Sequence, residues 1–348
     1  MNRRSVPLLA ALVCLSLAGL AYAADTAVKN SYDKARKVLD AGVQAVGGPE
    51  ALQQIENVSF KMRGTFSPRL QMDTPEPPFN IGSREESTTL DLKNGRIMSE
   101  QKGSGAGFAF WNRALAKGSE AWNIDLRNRI VTPGPPGSTT QPVYQQYYRR
   151  MPALILRTAL DRALTLRWVG EDNFRGRKHN VITYAQTDGN QVALYFDAQS
   201  NLLSKYELLF IDALNGEDVS EIEFADYQTF GPLKFPTVWR NRLAGDTASD
   251  MKVSDVAVNT KLDDKAFEIP EGLEKAPTPP QGQPITVSRL ADDVVLVRDT
   301  GGGNYNVLAV GFKDHILVVE APQNSGATEA ALARIKEALP AKPIKYVA

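Results

Sequence analysis

The sequence contains very little histidine and cysteine, the residues that most often bind zinc or form a catalytic pair with a nucleophile. Two histidines and one cysteine occur in 348 residues. Zinc sites are built from clusters of imidazole, thiolate and carboxylate ligands, so this chain alone is not expected to form one. Neither histidine, His179 or His315, has a convincing nucleophile near it, which argues against a Ser-His-Asp or Cys-His arrangement. The sequence therefore predicts no catalytic residue and no metal ligand.

The chain also carries no net charge. Forty basic residues balance forty acidic ones, which leaves no electrostatic case for binding nucleic acid. With 23% charged and 43% hydrophobic residues, the composition is typical of globular proteins. The single cysteine, Cys14, lies in a segment that is expected to be removed, so the mature chain should contain no disulfide.

Residues 1–23 are typical of a secretory signal peptide. Asn2-Arg3-Arg4 is a positive start, Val6–Leu20 is an apolar run, and Ala21-Tyr22-Ala23 is a cleavage site. An uncleaved membrane anchor is the alternative, but the run is short for a bilayer span and no later run is long enough. The prediction is a periplasmic or secreted protein without a stable membrane anchor after cleavage. The rest of the chain is long enough for two domains.

Periodicity predicts a sheet covered by helices over residues 24–273. Apolar residues recur at helical spacing over Asn30–Val46, and residues 144–163 form a second helical stretch. Asn94-Gly95, between two alternating runs, is a strong hairpin signal. From Leu164 to about Asn259 the pattern is an antiparallel meander of short strands.

Three segments of this region resemble periplasmic lipoprotein carrier and sorting proteins. They are the GGPEAL turn after the first helix, the hairpin YFDAQSNLLSKYEL and the stretch EIEFADYQTFGPLKFPTVWRNR. The resemblance implies an incomplete barrel, in which acyl chains lie between a curved sheet and helices. It carries no catalytic motif.

A Pro-rich linker is predicted over residues 274–284, followed by a different pattern over 285–348. Short β-branched strands precede a helix at about Ala327–Leu339 and a last strand at Pro343–Val347, a right-handed strand–helix–strand crossover. The order and spacing of these elements resemble the N-terminal part of metallo-β-lactamase-fold hydrolases. The resemblance includes the Gly-rich loop and a strand that ends in an acidic residue near Pro322. The resemblance implies zinc-dependent hydrolysis. The family's Thr-His-x-His-x-Asp-His motif is not in this sequence, so the domain is expected to be incomplete.

Candidate binding residues are few. By the same resemblance the loop Gly301, Gly302, Gly303 and Asn304 flanks a substrate groove; a simple turn is the alternative. His179 is expected at the surface and His315 on a solvent-facing edge strand. A hydrophobic cavity is a further hypothesis, against the alternative that its aromatic residues are ordinary core. Those residues are Trp111, Trp122, Tyr148, Phe196, Phe210 and Trp239.

The predicted fold class is α+β: a curved antiparallel half-barrel sheet with covering helices, followed by an incomplete αββα metallo-β-lactamase-like domain. The predicted function is that of an exported relative of zinc-dependent hydrolases, inactive as this chain alone. The alternatives are a periplasmic lipid- or lipoprotein-binding module and one half of a split hydrolase. No cofactor is expected on this chain alone, although zinc is implied for the complete family domain. Expected partners are a small molecule or lipid and a second chain that completes the hydrolase domain.

Overall fold

A computed structural model of the chain describes residues 26–67, 79–105, 107–134, 150–187, 189–212, 216–276, 285–300, 305–321 and 325–348. Of residues 299, 300, 305 and 325 it describes the backbone alone. The predicted signal peptide lies outside these residues, as does most of the predicted linker.

The described residues are mostly β. The helices are α1 (Ala27–Val46), α2 (Pro49–Gln53), α3 (Pro152–Asp161) and α4 (Ser325–Ala338), with 3-10 turns at Ala163–Thr165 and Asp264–Phe267. The strands of the larger sheet are β1 (Asn57–Phe66), β2 (Gly82–Asp91), β3 (Arg96–Gly105), β4 (Phe108–Lys117), β5 (Glu120–Asp125), β6 (Ile130–Pro133), β7 (Arg167–Phe174), β8 (Arg177–Ala185), β9 (Gln191–Asp197), β10 (Leu203–Asp212), β11 (Gly216–Phe230), β12 (Leu233–Leu243), β13 (Asp246–Val258) and β14 (Glu274–Lys275). The smaller sheet contains β15 (Thr286–Ala291), β16 (Val294–Thr300), β17 (Tyr305–Gly311), β18 (Ile316–Val319) and β19 (Ile344–Val347).

The predicted α+β class is right about an antiparallel sheet with helices beside it, but it overstates the helices. Residues 144–163 were predicted to be helical and divided at Pro152; residues 144–149 lie outside the described residues, and α3 begins at Pro152. Proline is favoured at a helix start because its missing N–H has no partner there anyway. None of the described helices is long and apolar enough to cross a membrane. The half-barrel closure stays a prediction.

The chain divides into two compact units. Unit 1 is Met1–Ile55, Tyr147–Phe210 and Val219–Asp250, and unit 2 is Glu56–Gln146, Ile211–Asp218 and Met251–Ala348. The predicted domain boundaries stay a prediction; Glu274 and Lys275, assigned to the linker, pair with β6 as the short parallel strand β14.

In unit 1 the predicted meander is confirmed, with neighbouring strands in the order β12-β11-β10-β9-β8-β7. Register aligns Ile182, Leu194 and Tyr206 on one face, and all three are buried. Helix α1 covers this face so closely that a Cβ added at Gly42 would lie 2.3 Å from Cε1 of Phe196. The amphipathic helix predicted at Asn30–Val46 is therefore confirmed.

Helix α1 also protects the edge strand β7. The backbone N–H of Trp168 donates to Oγ of Ser31 at 2.8 Å, and the same hydroxyl donates to the Trp168 carbonyl at 3.3 Å. An edge strand otherwise offers unpaired backbone groups to other chains. Ser31 thus satisfies two of these groups with one side chain.

In unit 2 the strands of the larger sheet follow the order β14-β6-β5-β4-β3-β2-β1. The hairpin predicted at Asn94-Gly95 joins β2 and β3, whose register runs from Asp91↔Arg96 to Ser83↔Ser104. Beyond it, Leu115, Ile124, Val131 and Phe267 form a buried cluster on one face of β4–β6.

The smaller sheet, in the order β15-β16-β17-β18-β19, has helix α4 on one face. The strand–helix–strand order predicted there, with the two strands in parallel, is confirmed for β18, α4 and β19, whereas the right-handedness of the crossover stays a prediction. Its core contains Val295, Val297, Val307, Ala309, Ile316, Val318, Ala331, Ile335 and Leu339. The opposite face is also apolar, and its side chains are half-buried: Val294, Leu296, Leu308, Val310, Leu317 and Val319.

Candidate ligand-binding site

The residues that the sequence singled out do not form one site. Gly301, Gly302, Gly303 and Asn304 lie outside the described residues, so their role stays a prediction. The predicted aromatic cavity is divided: Phe196 and Trp239 are buried core of unit 1, and Trp122 packs against the Leu115 cluster of unit 2. Tyr148 lies outside the described residues. Phe196, Trp239 and Trp122 therefore belong to separate cores, as the alternative prediction held for them, whereas Trp111 is 44% exposed and Phe210 is half-buried.

Three other aromatic residues gather at one end of β1–β4. Phe66 ends β1, and Phe108 and Phe110 begin β4. The ring centroids of Phe66 and Phe110 are 5.7 Å apart at 75°, and those of Phe108 and Phe110 are 6.4 Å apart. Phe108 is 48% exposed, and the other two are half-buried. We call these three residues the phenylalanine platform.

Glycines on β2 and β3 make room for the platform. A Cβ added at Gly82 would lie 2.7 Å from Cε1 of Phe66, and one at Gly105 would lie 2.8 Å from Cζ of the same ring. At Gly103 an added Cβ would be 2.9 Å from Cζ of Phe110. The rings therefore lie across backbone that only glycine leaves open, which is a means of stabilising glycine within a sheet.

The face that carries the platform continues inward as an apolar strip. Side chains alternate along a strand, so Phe66 shares its face with Met62, Phe60 and Val58, which are all buried. Arg84 aligns with Phe110 across β2–β4, one row inward of Phe66, and its guanidinium lies 5.7 Å from the Phe66 ring centroid. The same sheet face thus carries a cation between the outermost rings and the buried apolar side chains of β1.

A small polar group interrupts the same face. Oγ1 of Thr88 lies 3.0 Å from Oε1 of Glu86 and 3.0 Å from Oγ of Ser99. Glu86 pairs with Met62 across β1 and β2, so the group borders the apolar strip. All three side chains are buried. These polar side chains are therefore enclosed inward of the platform.

A polar cleft of about 220 Å³ lies near the β2–β3 turn, but its charges are paired with one another. Nε and Nη2 of Arg96 donate to Oδ2 of Asp91 at 2.8 and 2.5 Å, and Nη1 donates to Asp264 at 2.8 Å. Burial raises the pKa of Asp91, but hydrogen bonds from Asn94 and Arg96 outweigh it and hold that pKa below its usual value. The charged side chains that line the cleft thus form a structural network that stabilises the hairpin.

A second charged network lies in unit 1. Nζ of Lys205 is 2.7 Å from Glu207 and 2.8 Å from Glu221, and it lies 4.0 Å from the ring centroid of Tyr195. Burial, with the nearby Glu207 carboxylate, raises the pKa of Tyr195 to about 12. Because the Lys205 ammonium and the two carboxylates pair with one another, we assign this network to the packing of the sheet.

Both histidines differ from their predicted environments. His179 is 2% exposed, because Phe174 of the β7–β8 hairpin packs edge-on against its ring at 5.6 Å. Its Nδ1 lies 2.8 Å from the Arg177 carbonyl, which can only accept, so that nitrogen carries the proton. His315 precedes β18, an interior strand, and stacks on Phe312 at 5.0 Å. The surface prediction for His179 was wrong because Phe174 covers its ring, and the edge-strand prediction for His315 was wrong because β19 pairs with β18 on the side away from β17.

The described residues do not fit a zinc site. His179 belongs to unit 1 and His315 to unit 2. Within the described ranges, no three histidine, cysteine, aspartate or glutamate side chains are grouped to hold a metal ion. The zinc implied for the complete hydrolase family therefore has no ligand set among these residues.

No protein-family model matches the chain, and no curated protein sequence matches it. Solved structures similar to parts of it include a DUF1329-family protein from Desulfovibrio piger (9% identity, TM-score 0.38, 67% of this chain and 96% of that one). A LolA-superfamily protein from Nitrosomonas europaea has 11% identity and a TM-score of 0.37, covering 68% and 97%. A domain assigned to outer membrane lipoprotein sorting, from Vibrio parahaemolyticus, has 11% identity and a TM-score of 0.36, covering 69% and 97%.

The last two belong to the group that residues 24–273 were predicted to resemble. TM-scores below 0.5 are too low to assign a family or a function. The predicted metallo-β-lactamase resemblance of residues 285–348 finds no support among these three structures.

Proposed function

We propose that the larger sheet binds the acyl chain of a lipid or lipoprotein, so that the protein acts as an exported lipid-binding module. The observation that carries the proposal is the phenylalanine platform. Its rings are clustered, supported by glycine backbone and accessible, with Phe108 48% exposed. The location outside the cytoplasm is part of the proposal and rests on the signal-peptide pattern of residues 1–23.

Energetics favour an apolar ligand over water at this position. Burying one phenylalanine side chain contributes about 1.5–3 kcal/mol. Met62 and Phe60, further along the same face, are already buried, so the acyl chain is proposed to lie on the platform itself. The guanidinium of Arg84, which aligns with Phe110 across β2–β4, suits a phosphate or carboxylate head group, because arginine pairs with such groups bidentately.

The proposal is tested with a fluorescent fatty acid, cis-parinaric acid, titrated into the purified chain. We expect saturable binding by the parent. In the Phe108→Ser/Phe110→Ser variant, the loss of two apolar contacts should weaken binding roughly tenfold or more. Binding that is absent in the parent, or equal in the variant, would refute the proposal.

Phe312 supplies a matched control. It is 46% exposed, close to the value of Phe108, but lies in the turn between β17 and β18 of the smaller sheet. Phe312→Ser should therefore leave the affinity for the probe unchanged. If it weakened binding as much as the platform variant, the probe would be recognising exposed aromatics in general.

A second candidate function rests on the smaller sheet. We propose that residues 285–348 are the first part of a metallo-β-lactamase-like hydrolase domain that a second polypeptide completes. The supporting observation is that both sheet faces are apolar while α4 covers one. Sheets with two apolar faces are typically covered on both sides.

The test is reconstitution with a polypeptide that carries the Thr-His-x-His-x-Asp-His motif and is encoded beside this chain. The pair should associate and show hydrolysis that a chelator abolishes, whereas the chain alone should show none. Failure of the two to associate, or chelator-sensitive hydrolysis by this chain alone, would contradict the second candidate.

A further inference from the structure

A different exposed surface occurs at the same end of β1–β4 as the platform, on the opposite face of the sheet. Trp111 follows Phe110 in β4, and successive side chains of a strand point to opposite faces. Trp111 is 44% exposed, and its Nε1 donates to Oε1 of Glu100 at 2.7 Å. Ile81, directly before β2, is 73% exposed. The indole is therefore held in one orientation while its ring remains accessible.

Cationic side chains surround this tryptophan. Lys102 lies opposite Trp111 in the β3–β4 register, and Arg127 donates to the carbonyl of Ala109. The other charged side chains on this face of β1–β4 near the same end are Lys61, Arg63, Arg113, Glu85 and Glu100. Lys61 is paired with Asp255, and Arg127 lies near the Asp125 carboxylate. The five cations thus exceed the four carboxylates by one.

We propose that this Trp111 surface (Ile81, Arg63, Lys102, Trp111 and Arg127) docks on an anionic lipid bilayer. Tryptophan is favoured at the membrane–water interface because its ring is apolar while its N–H remains polar. Surplus lysine and arginine are attracted to anionic head groups.

The size of the surface favours a membrane over a protein partner. Its apolar part consists of two side chains, Ile81 and Trp111, whereas a stable protein interface buries on the order of 1,000 Å² or more around an apolar centre. A bilayer surface needs no shape complementarity and can accept two anchoring side chains. The inference goes beyond acyl binding, since Ile81 and Trp111 lie outside the platform.

Vesicle flotation with the purified full chain tests the inference. Vesicles of phosphatidylethanolamine with phosphatidylglycerol should carry the protein, and vesicles of phosphatidylcholine should carry much less. The Ile81→Ser/Trp111→Ser variant should partition into the anionic vesicles roughly tenfold less than the parent. Leu209→Ser, which removes an exposed leucine of unit 1, should partition like the parent.

A second variant tests the electrostatic part. Lys102→Gln/Arg127→Gln should weaken binding to anionic vesicles and reduce its sensitivity to salt, because screening acts on exposed charges. If the Ile81→Ser/Trp111→Ser variant fails to fold, this charge variant still tests the docking proposal. Equal flotation with both vesicle types, or variants that float like the parent, would overturn the inference. Binding of cis-parinaric acid should persist in both variants, so failure of docking and failure of acyl binding are separate results.

Discussion

Asp197 is a buried carboxylate that closes the turn between β9 and β10. Its Oδ1 accepts from the backbone N–H groups of Gln199 and Ser200, at 3.1 and 2.7 Å, and Oδ2 lies 3.0 Å from Arg177. Burial raises the pKa of Asp197, but the hydrogen bonds from Ser200 and Gln199 and the Arg177 charge outweigh it. The pKa of this carboxyl is therefore below its ordinary value.

A depressed folded-state pKa stabilises the protein above the unfolded pKa, which is about 3.9 for aspartate. That stability is lost as pH falls through the folded pKa. Asp197→Asn should therefore lower the free energy of unfolding by about 1.5–3 kcal/mol at pH 7. The difference in unfolding free energy between this variant and the parent should become smaller below about pH 4. Urea unfolding across this pH range measures that difference, and Asp161→Asn, at an exposed position, is the control. A difference that did not change with pH would contradict the role assigned to Asp197.

Arg96 links the β2–β3 hairpin to the segment after β13. It donates to Asp91 and Asp264, and its guanidinium lies 4.3 Å from the ring centroid of Phe267. Lysine keeps the charge but loses the fork of donors and the planar stacking.

Arg96→Lys should therefore cost about 1.5–3 kcal/mol of unfolding free energy. Arg63→Lys is the matched control, since Arg63 pairs with Glu85 at 2.5 Å but is exposed. The control should cost less than about 1 kcal/mol. Equal losses in the two variants, measured by urea unfolding, would show that the stacked fork contributes nothing beyond charge.

At the scale of secondary-structure elements, the contact between α1 and β9 depends on one glycine. Gly42→Ala gains about 1 kcal/mol of helix propensity. However, the added methyl would lie 2.3 Å from a buried Phe196 ring, and such overpacking costs about 1–3 kcal/mol. We expect net destabilisation.

Removing the ring should reverse the sign of that effect. In a Phe196→Leu background, Gly42→Ala should be neutral or stabilising, because the clash is gone while the propensity gain remains. Thermal or urea unfolding of the four proteins gives the coupling directly. If the effects of Gly42→Ala and Phe196→Leu on the unfolding free energy were additive, α1 and β9 would not be in close contact at these two residues.

The smaller sheet offers a similar comparison between its two faces. Val307 is buried under α4, whereas Val310, in the same strand, is half-buried on the other face. Val307→Thr should cost about 1–3 kcal/mol, because it buries a hydroxyl. Val310→Thr should cost less, since water can reach the new group. If urea unfolding gave equal losses, the outer face would be covered in the isolated chain.

Local signals account for the elements that the sequence predicted. Asn30–Val46 had a clear apolar stripe and a Gly-Gly stop, and Asn94-Gly95 had turn chemistry between two alternating runs. The platform was not predicted because it depends on register, which brings Gly82, Gly103 and Gly105 beside rings from β1 and β4. The sequence feature that could have indicated the platform is the group of glycines close to Phe-Ala-Phe at residues 108–110. His179 was misplaced for the same reason, since its cover comes from the Phe174 hairpin.

At the scale of the whole molecule, the larger sheet carries accessible apolar side chains on both faces at one end of β1–β4, and others in β7 and β10. Phe108 lies on one face at this end and Trp111 on the other. Together they suit a module that takes an acyl chain on one face and contacts a lipid surface with the other. The smaller sheet, which the sequence assigned to a hydrolase fold, has one covered and one half-buried apolar face.

Photo-crosslinking tests the acyl-binding claim most directly. The full chain is irradiated with a fatty acid that carries a diazirine near its methyl end, without vesicles, and its tryptic peptides are mapped by mass spectrometry. The predicted adducts lie on Phe108 and Phe110 in the peptide of residues 103–113 and on Phe66 in that of residues 64–69. Adducts confined to other peptides, such as the one that contains Phe312, or no saturable adduct at all, would contradict it.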